Sequence, residues 1–454
     1  MESNTALRGP DGSSAREGVR TQLNMNFETD ITGLETVEAP VPHIADLETT
    51  RVPVAPADGA ATAVPQAKAS SPRFEGLEAY RGLTALIIIC YHCYQHAEQV
   101  GVQLYAGTML QMVLTNSDDV VSLFFVLSGF LNFLPFARAG LKQQGAYPLG
   151  GFVIRRAIRI IPVYYIAFLV TWATRYYGSP QQWLDLLEHL TFTQIFDSRH
   201  IFWTIGPTWS LAVEFWFYSL LTLLAPLSYH LCRRCKTHRG RIAMLYAIPA
   251  FLLVVGIGYK VCCLIFLHIP INNYAVYFSL FGRLDNFSMG MGLAVLMATN
   301  NNYIKVRRYV PWLLRGIALL LIILSWINRE LSIDPISEYI FYHSMWSLAM
   351  LLVLAAAVLA SSNFKKNKKG FSQRIWVHLS LISYSIFLWH EPLLIGLDRY
   401  LVFTSEALFP VSVITLIALA IGVATLSYWL LEYPISFLGH LFTKEGKLRA
   451  RYPE

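Results

Sequence analysis

Arg81, His92 and His96 lie in one apolar stretch, RGLTALIIICYHCYQHAEQ over residues 81–99, and their types and spacing could do chemistry. On a helix, the step from Arg81 to His92 is three turns and about 16 Å of rise, so both side chains lie on nearly the same face. His96 continues that stripe one turn further on. An imidazole, with a reference pKa of about 6.5, can take a proton from a hydroxyl near neutral pH, while a guanidinium stays charged and can hold an anion. Ionisable groups inside an apolar helix are costly and usually mark a pathway or a reaction. The structural alternative is a histidine bonded to a neighbouring helix for packing.

Other polar groups interrupt apolar runs in the same way. Glu214 falls about 8 Å into its run, and Arg283, Asp285 and His390 fall inside theirs. Arg283 and Asp285 could simply pair with other helices. Glu214 beside an imidazole would make an orienting carboxylate. In RRAIRIIP, a helix would turn Arg155, Arg156 and Arg159 to one side at the membrane surface, a geometry that suits bidentate contacts to phosphate oxygens. Basic helix ends are also expected there for topology alone.

The elements that must position these residues follow from composition. With 454 residues, 55% hydrophobic content and only 14% charged residues, the chain reads as a polytopic, all-α membrane protein. Apolar runs close to the roughly 20 residues needed to cross a bilayer predict about ten spans: 82–101, 120–137, 160–176, 209–231, 242–268, 274–298, 309–327, 339–360, 376–398 and 408–431. Basic residues crowd alternate loops, for example Arg233, Arg234, Lys236, Arg239 and Arg241, then Lys365, Lys366, Lys368 and Lys369. The opposite loops hold Arg175, Arg199, Arg329 and Arg399. Lys and Arg are retained on the cytoplasmic side, so both termini are expected there, in a multi-pass protein of the plasma (inner) membrane.

Residues 1–72 differ in kind, rich in Ala, Pro, Thr, Val and Glu without sustained periodicity, and read as a disordered cytoplasmic tail. That tail holds ten acidic and five basic residues, so the basic excess belongs to the membrane domain, 73–440, and to a short basic tail, 441–454. A basic inner face suits anionic headgroups of membrane lipids or a polyanionic cytoplasmic ligand; nothing in the pattern points to nucleic acid. The N-terminus lacks the basic region and apolar core of a cleavable signal, so insertion is expected to begin with the first span. Two CxxC spacings, Cys90 with Cys93 and Cys232 with Cys235, fall at different depths, which argues against one shared zinc site, and no metal or disulfide framework is expected.

Seven segments carry a resemblance: LEAYRGLTALIIICYH (77–92), VSLFFVLSGF (121–130), RRAIR (155–159), TWSLAVEFWFY (208–218), GRLDNFSMG (282–290), LISYSIFLWH (381–390) and SYWLLEYP (427–434). In this order the chain resembles the acyltransferase 3 family of membrane O-acyltransferases over about residues 74–438. The resemblance implies transfer of an acyl group from cytoplasmic acyl-CoA, a co-substrate rather than a bound cofactor, to a hydroxyl of a glycan, a lipid-linked sugar or another acceptor. It makes Arg81, His92 and the trio Arg155, Arg156 and Arg159 the functional signatures, and sets Glu214 on the glutamate of the WSLxxE segment. Ser128, Trp209, Arg283, Asp285 and His390 are supporting candidates. Three positions depart from the common pattern: Glu78 and Ser122, where aspartate is frequent, and Phe215, where a second glutamate often follows. No hydrolase-like domain is expected after the last span.

The implied mechanism keeps the phosphates of CoA at the arginine trio while the pantetheine arm enters between helices. His92 would then act as general base on the acceptor hydroxyl, or carry the acyl group itself. A transporter of acyl or succinyl compounds is the alternative, though no internal repeat supports it.

Overall fold

The apolar runs fold as helices, and no strand occurs among the described residues. The computed structural model describes residues 77–442 except 144, 177–181, 302–303, 332–339, 341 and 362–370. The expected tail 1–72, the basic loop around Lys366 and residues 443–454 of the expected C-terminal tail lie outside the described residues.

The helices are α1 (Leu77–Gln99), α2 (Met109–Thr115), α3 (Ser122–Lys142), α4 (Leu149–Tyr176), α5 (Trp183–Thr191), α6 (Thr208–Arg234) and α7 (His238–Val261). They continue with α8 (Tyr274–Tyr277), α9 (Leu284–Thr299), α10 (Val310–Glu330), α11 (His343–Ser361), α12 (Phe371–Leu397), α13 (Phe409–Ser427) and α14 (Tyr433–Phe442). A π-helical turn, Tyr428–Glu432, joins α13 to α14. Among the described residues, seven stretches are long and apolar enough to cross a membrane: Asp118–Lys142, Thr208–Arg234, His238–Phe266, Val310–Glu330, His343–Ala360, Arg374–Leu397 and Phe409–Phe437.

Three of the ten expected spans are not among these seven. The first and third are helical, as α1 and α4, but α1 carries His92, Gln95, His96 and Glu98 in its second half and α4 opens with the arginine trio. The sixth, expected as one run over 274–298, is broken. Only four residues of α8 are helical, a 3-10 turn spans Phe281–Arg283, and α9 begins at Leu284 with 16 residues. Irregular backbone at membrane depth persists only where protein buries it or a cavity uses it, and Phe278 and Arg283 line a cavity here.

Two apolar cores hold the helices. One gathers residues such as Phe125, Phe130, Phe133, Phe217, Phe287 and Met291 from α3, α6 and α9. The other packs Ala85 and Ile89 of α1 against Ile382 and Ile386 of α12 and Leu416 and Ala420 of α13. Small residues let membrane helices approach closely, where backbone packing replaces the absent hydrophobic drive. At the crossing of α3 and α9, a Cβ on Gly129 would overlap the carbonyl of Phe287, and one on Gly290 the carbonyl of Val126. This contact fixes the depth of Arg283 and Asp285 against Asp119 and Ser128.

Candidate active site between two cavities

Three helices, α1, α6 and α12, run past one aromatic layer and present chemistry on both sides of it. On one side, a cavity of about 120 Å³ is lined by Arg81, Ser128, Arg156, Arg159, Glu214 and Tyr218. On the other, a cavity of about 450 Å³ is lined by Tyr91, His92, Asp119, Trp209, Arg283, His343 and Glu391. Helix α1 contributes Arg81 to the first and His92 to the second; α6 contributes Glu214 and Trp209; α12 contributes Tyr384 and Glu391. The wall between them includes Phe387, which lines both.

The arginine side concentrates positive charge. Arg155, Arg156 and Arg159 all line an adjoining cavity of about 300 Å³, and Arg156 and Arg159 also reach the smaller one. The trio therefore does share one side, as its spacing on α4 predicts. Arg155 Nη2 donates to Tyr147 Oη at 2.8 Å, and the Arg156 guanidinium lies 5.5 Å from the centre of the Tyr218 ring. Tyr384 Oη donates to the Ile160 carbonyl at 2.8 Å, tying α12 to the arginine helix. Glu214 accepts hydrogen bonds from the hydroxyls of Ser128 and Tyr218. Its carboxylate is thus held by neutral donors in a cavity whose guanidinium groups outnumber it.

The expected contact of Glu214 with an imidazole is not formed; Glu214 lies on the arginine side of the aromatic layer. The partner of His92 is His390, with His92 Nδ1 2.9 Å from His390 Nε2 and ring centres 5.0 Å apart. His390 Nδ1 lies 3.1 Å from the Ile386 carbonyl, which can only accept, so this nitrogen donates. In the neutral pair His390 Nε2 is then the acceptor and His92 Nδ1 the donor. The lone pair of His92 is left on Nε2, and the partly exposed ring borders the larger cavity. His96 departs from the stripe, packing edge-on to Phe403 at 5.9 Å.

The family model Acyl_transf_3, described as an acyltransferase domain, matches residues 74–431. The chain belongs to this acyltransferase family. It is 25% identical over 400 residues to proteins of Staphylococcus aureus strains COL, N315 and Mu50, each carrying a provisional O-acetyltransferase name. Each match covers 82% of this chain and 57% of the relative, so the chain spans little more than half the length of these relatives. No solved structure matches it.

Around this candidate site the remaining residues divide by their contacts. Arg283 donates to Asp119 at 3.0 Å and lies over the rings of Phe278 and Trp209, at 4.9 and 5.3 Å. Asp285 pairs with Lys260 at 2.8 Å and accepts from Ser344 at 2.9 Å. These are the interhelical pairings that buried charges require, and they brace the cavity wall. His343 Nδ1 is 3.1 Å from Asp119, and Glu391 sits next to His390; neither was singled out from sequence, although both are ionisable residues within apolar surroundings. Glu432 is a third such residue. It falls in the π-helical turn, accepts from Ser385, and lies within electrostatic reach of Arg159 and Arg81; π-turns recur at functional sites.

Away from these cavities, Cys90 and Cys93 sit within α1, and Cys232 and Cys235 at the end of α6. Glu188, Asp197 and His200 place their ligand atoms within 4.8 Å of one another. Arg199 already forks onto Asp197, at 2.6 Å to Oδ2, and holds that carboxyl down to about 2.

Proposed function

We propose that the chain is a membrane O-acyltransferase that moves an acyl group from cytoplasmic acyl-CoA to a hydroxyl of a carbohydrate, glycolipid or other acceptor. It acts as a protein of about ten spans, in the plasma (inner) membrane, with both termini cytoplasmic. The observation that carries this reading is the His92–His390 pair, which leaves His92 Nε2 as a base at one cavity while three arginines line the space across the aromatic layer.

The phosphates of CoA bind at Arg155, Arg156 and Arg159, and the pantetheine arm enters the smaller cavity past Arg81. The acceptor occupies the larger cavity, whose aromatic rings and carboxylates suit a polyhydroxylated molecule. Its hydroxyl oxygen adds to the thioester carbonyl as His92 Nε2 takes the proton. Collapse of the adduct breaks the C–S bond, and the CoA thiolate leaves and recovers the proton from the imidazolium. His390 holds the tautomer and tilt of His92, and Glu214 orders the hydroxyls beside the entering arm.

The test is donor binding. Replacing Arg155 and Arg159 with Ala is expected to remove charge-assisted phosphate contacts of about 1.5–3 kcal/mol each, so the apparent affinity for acetyl-CoA falls by at least about tenfold. Titration of the purified protein measures this, and unchanged donor affinity would return the arginines to a purely topological role.

A further inference from the structure

We infer that Phe387 sets the length of acyl group the protein admits, as a specificity-determining wall residue between the two cavities. The inference rests on the reading of donor and acceptor sides given above. Phe387 is buried, 6% exposed, and lines both cavities. Its ring meets Phe124 edge-on at 6.1 Å and lies 5.9 Å from the ring of His390, less than one helical turn along α12. A thioester carbonyl that reaches His92 from the arginine side must therefore pass beside this ring.

What lies past the carbonyl decides which acyl tails fit. The arginine-side cavity is small, about 120 Å³, against about 450 Å³ beyond the wall. The larger cavity sets His92, Asp119, Arg283 and Glu391 among its aromatic rings, so an apolar tail that enters it must desolvate charged and polar groups. An acetyl methyl can rest against the face of Phe387. Each further methylene must either displace that ring or enter the charged cavity, and the packed partners of Phe387 resist displacement. Shortening the residue to Ala joins apolar space to the donor side, where Phe124, Phe125 and Leu211 already line the wall, and there a longer tail gains cover.

The experiment titrates the full, detergent-purified chain with acetyl-, butyryl- and hexanoyl-CoA and reads donor affinity from thermal stabilisation, which needs no acceptor. The wild type is expected to bind acetyl-CoA about tenfold more tightly than hexanoyl-CoA. Phe387→Ala is expected to reduce that ratio to about threefold or less by gaining hexanoyl-CoA affinity, with Phe387→Leu intermediate. Arg155→Ala, in contrast, should weaken all three donors in parallel. Should the Ala variant fail to fold, Phe387→Leu and Phe124→Leu carry the test. Equal binding of the three donors by the wild type, or a wild-type ratio unmoved in the folded variants, would overturn the role of Phe387 and leave the acyltransferase reading standing. A wild type that binds none of the three would overturn that reading, and this inference with it.

Discussion

His92→Ala is expected to lower acyl transfer by roughly 10² to 10⁴ in rate while the affinity for acetyl-CoA stays within a few fold. The loss is that of the base, because the donor groups lie on the far side of the aromatic wall and do not touch this imidazole. His92→Gln should be as slow, since an amide keeps hydrogen bonding but takes no proton near neutral pH. His390→Gln should cost less, because it disturbs only the tautomer and tilt that the 2.9 Å contact imposes. His96→Ala should cost least, its ring being packed on Phe403. Turnover measured beside thermal stability checks the series, and a Gln variant at position 92 with near-normal turnover would end the catalytic assignment.

Asp119→Ala is expected to destabilise the protein by about 3–5 kcal/mol, because it strands the Arg283 guanidinium, 1% exposed, without its counter-charge. The two aromatic rings under Arg283 offset part of the loss but cannot replace a carboxylate. Removing both charges together, as Asp119→Leu with Arg283→Met, should recover much of the stability, since an apolar pair of similar volume avoids the cost of desolvating two ions. Heat-induced unfolding in detergent measures both variants. A single variant as stable as the wild type, or a double variant no better than the single, would contradict the bracing role of this pair.

Periodicity and charge made much of this fold legible. The apolar runs at 120–137, 209–231 and 309–327 are helices close to their expected limits, because length and apolarity are local properties. The arginine trio was legible for the same reason, as spacing on one helix decides it. Across helices the reading failed. His92 and His390 are 298 residues apart, and Asp119 and Arg283 are 164 apart, so nothing in either segment names its partner. Glu214 was expected beside an imidazole, but the rise of about 7.5 Å from Trp209 to Glu214 carries it past the wall to the arginine side. The break before α9 was also hidden, since SLFGRL reads as part of one apolar run; only the fold shows Gly282 pressed against the Tyr277 carbonyl and Arg283 paired with a distant aspartate.

The central claim is that donor and acceptor approach His92 from opposite sides of the Phe387 wall, and sided vesicles test it most directly. Acetyl-CoA labelled in its acyl group is supplied either inside or outside sealed vesicles of known orientation, and the side on which CoA is released and the acylated product forms is measured. The account predicts that only acetyl-CoA on the cytoplasmic face, the side of Arg155 and Arg159, is consumed, and that the labelled acyl group emerges on acceptor at the opposite face. Consumption of acetyl-CoA supplied to the face of the larger cavity, or label appearing only on cytoplasmic acceptor, would contradict it.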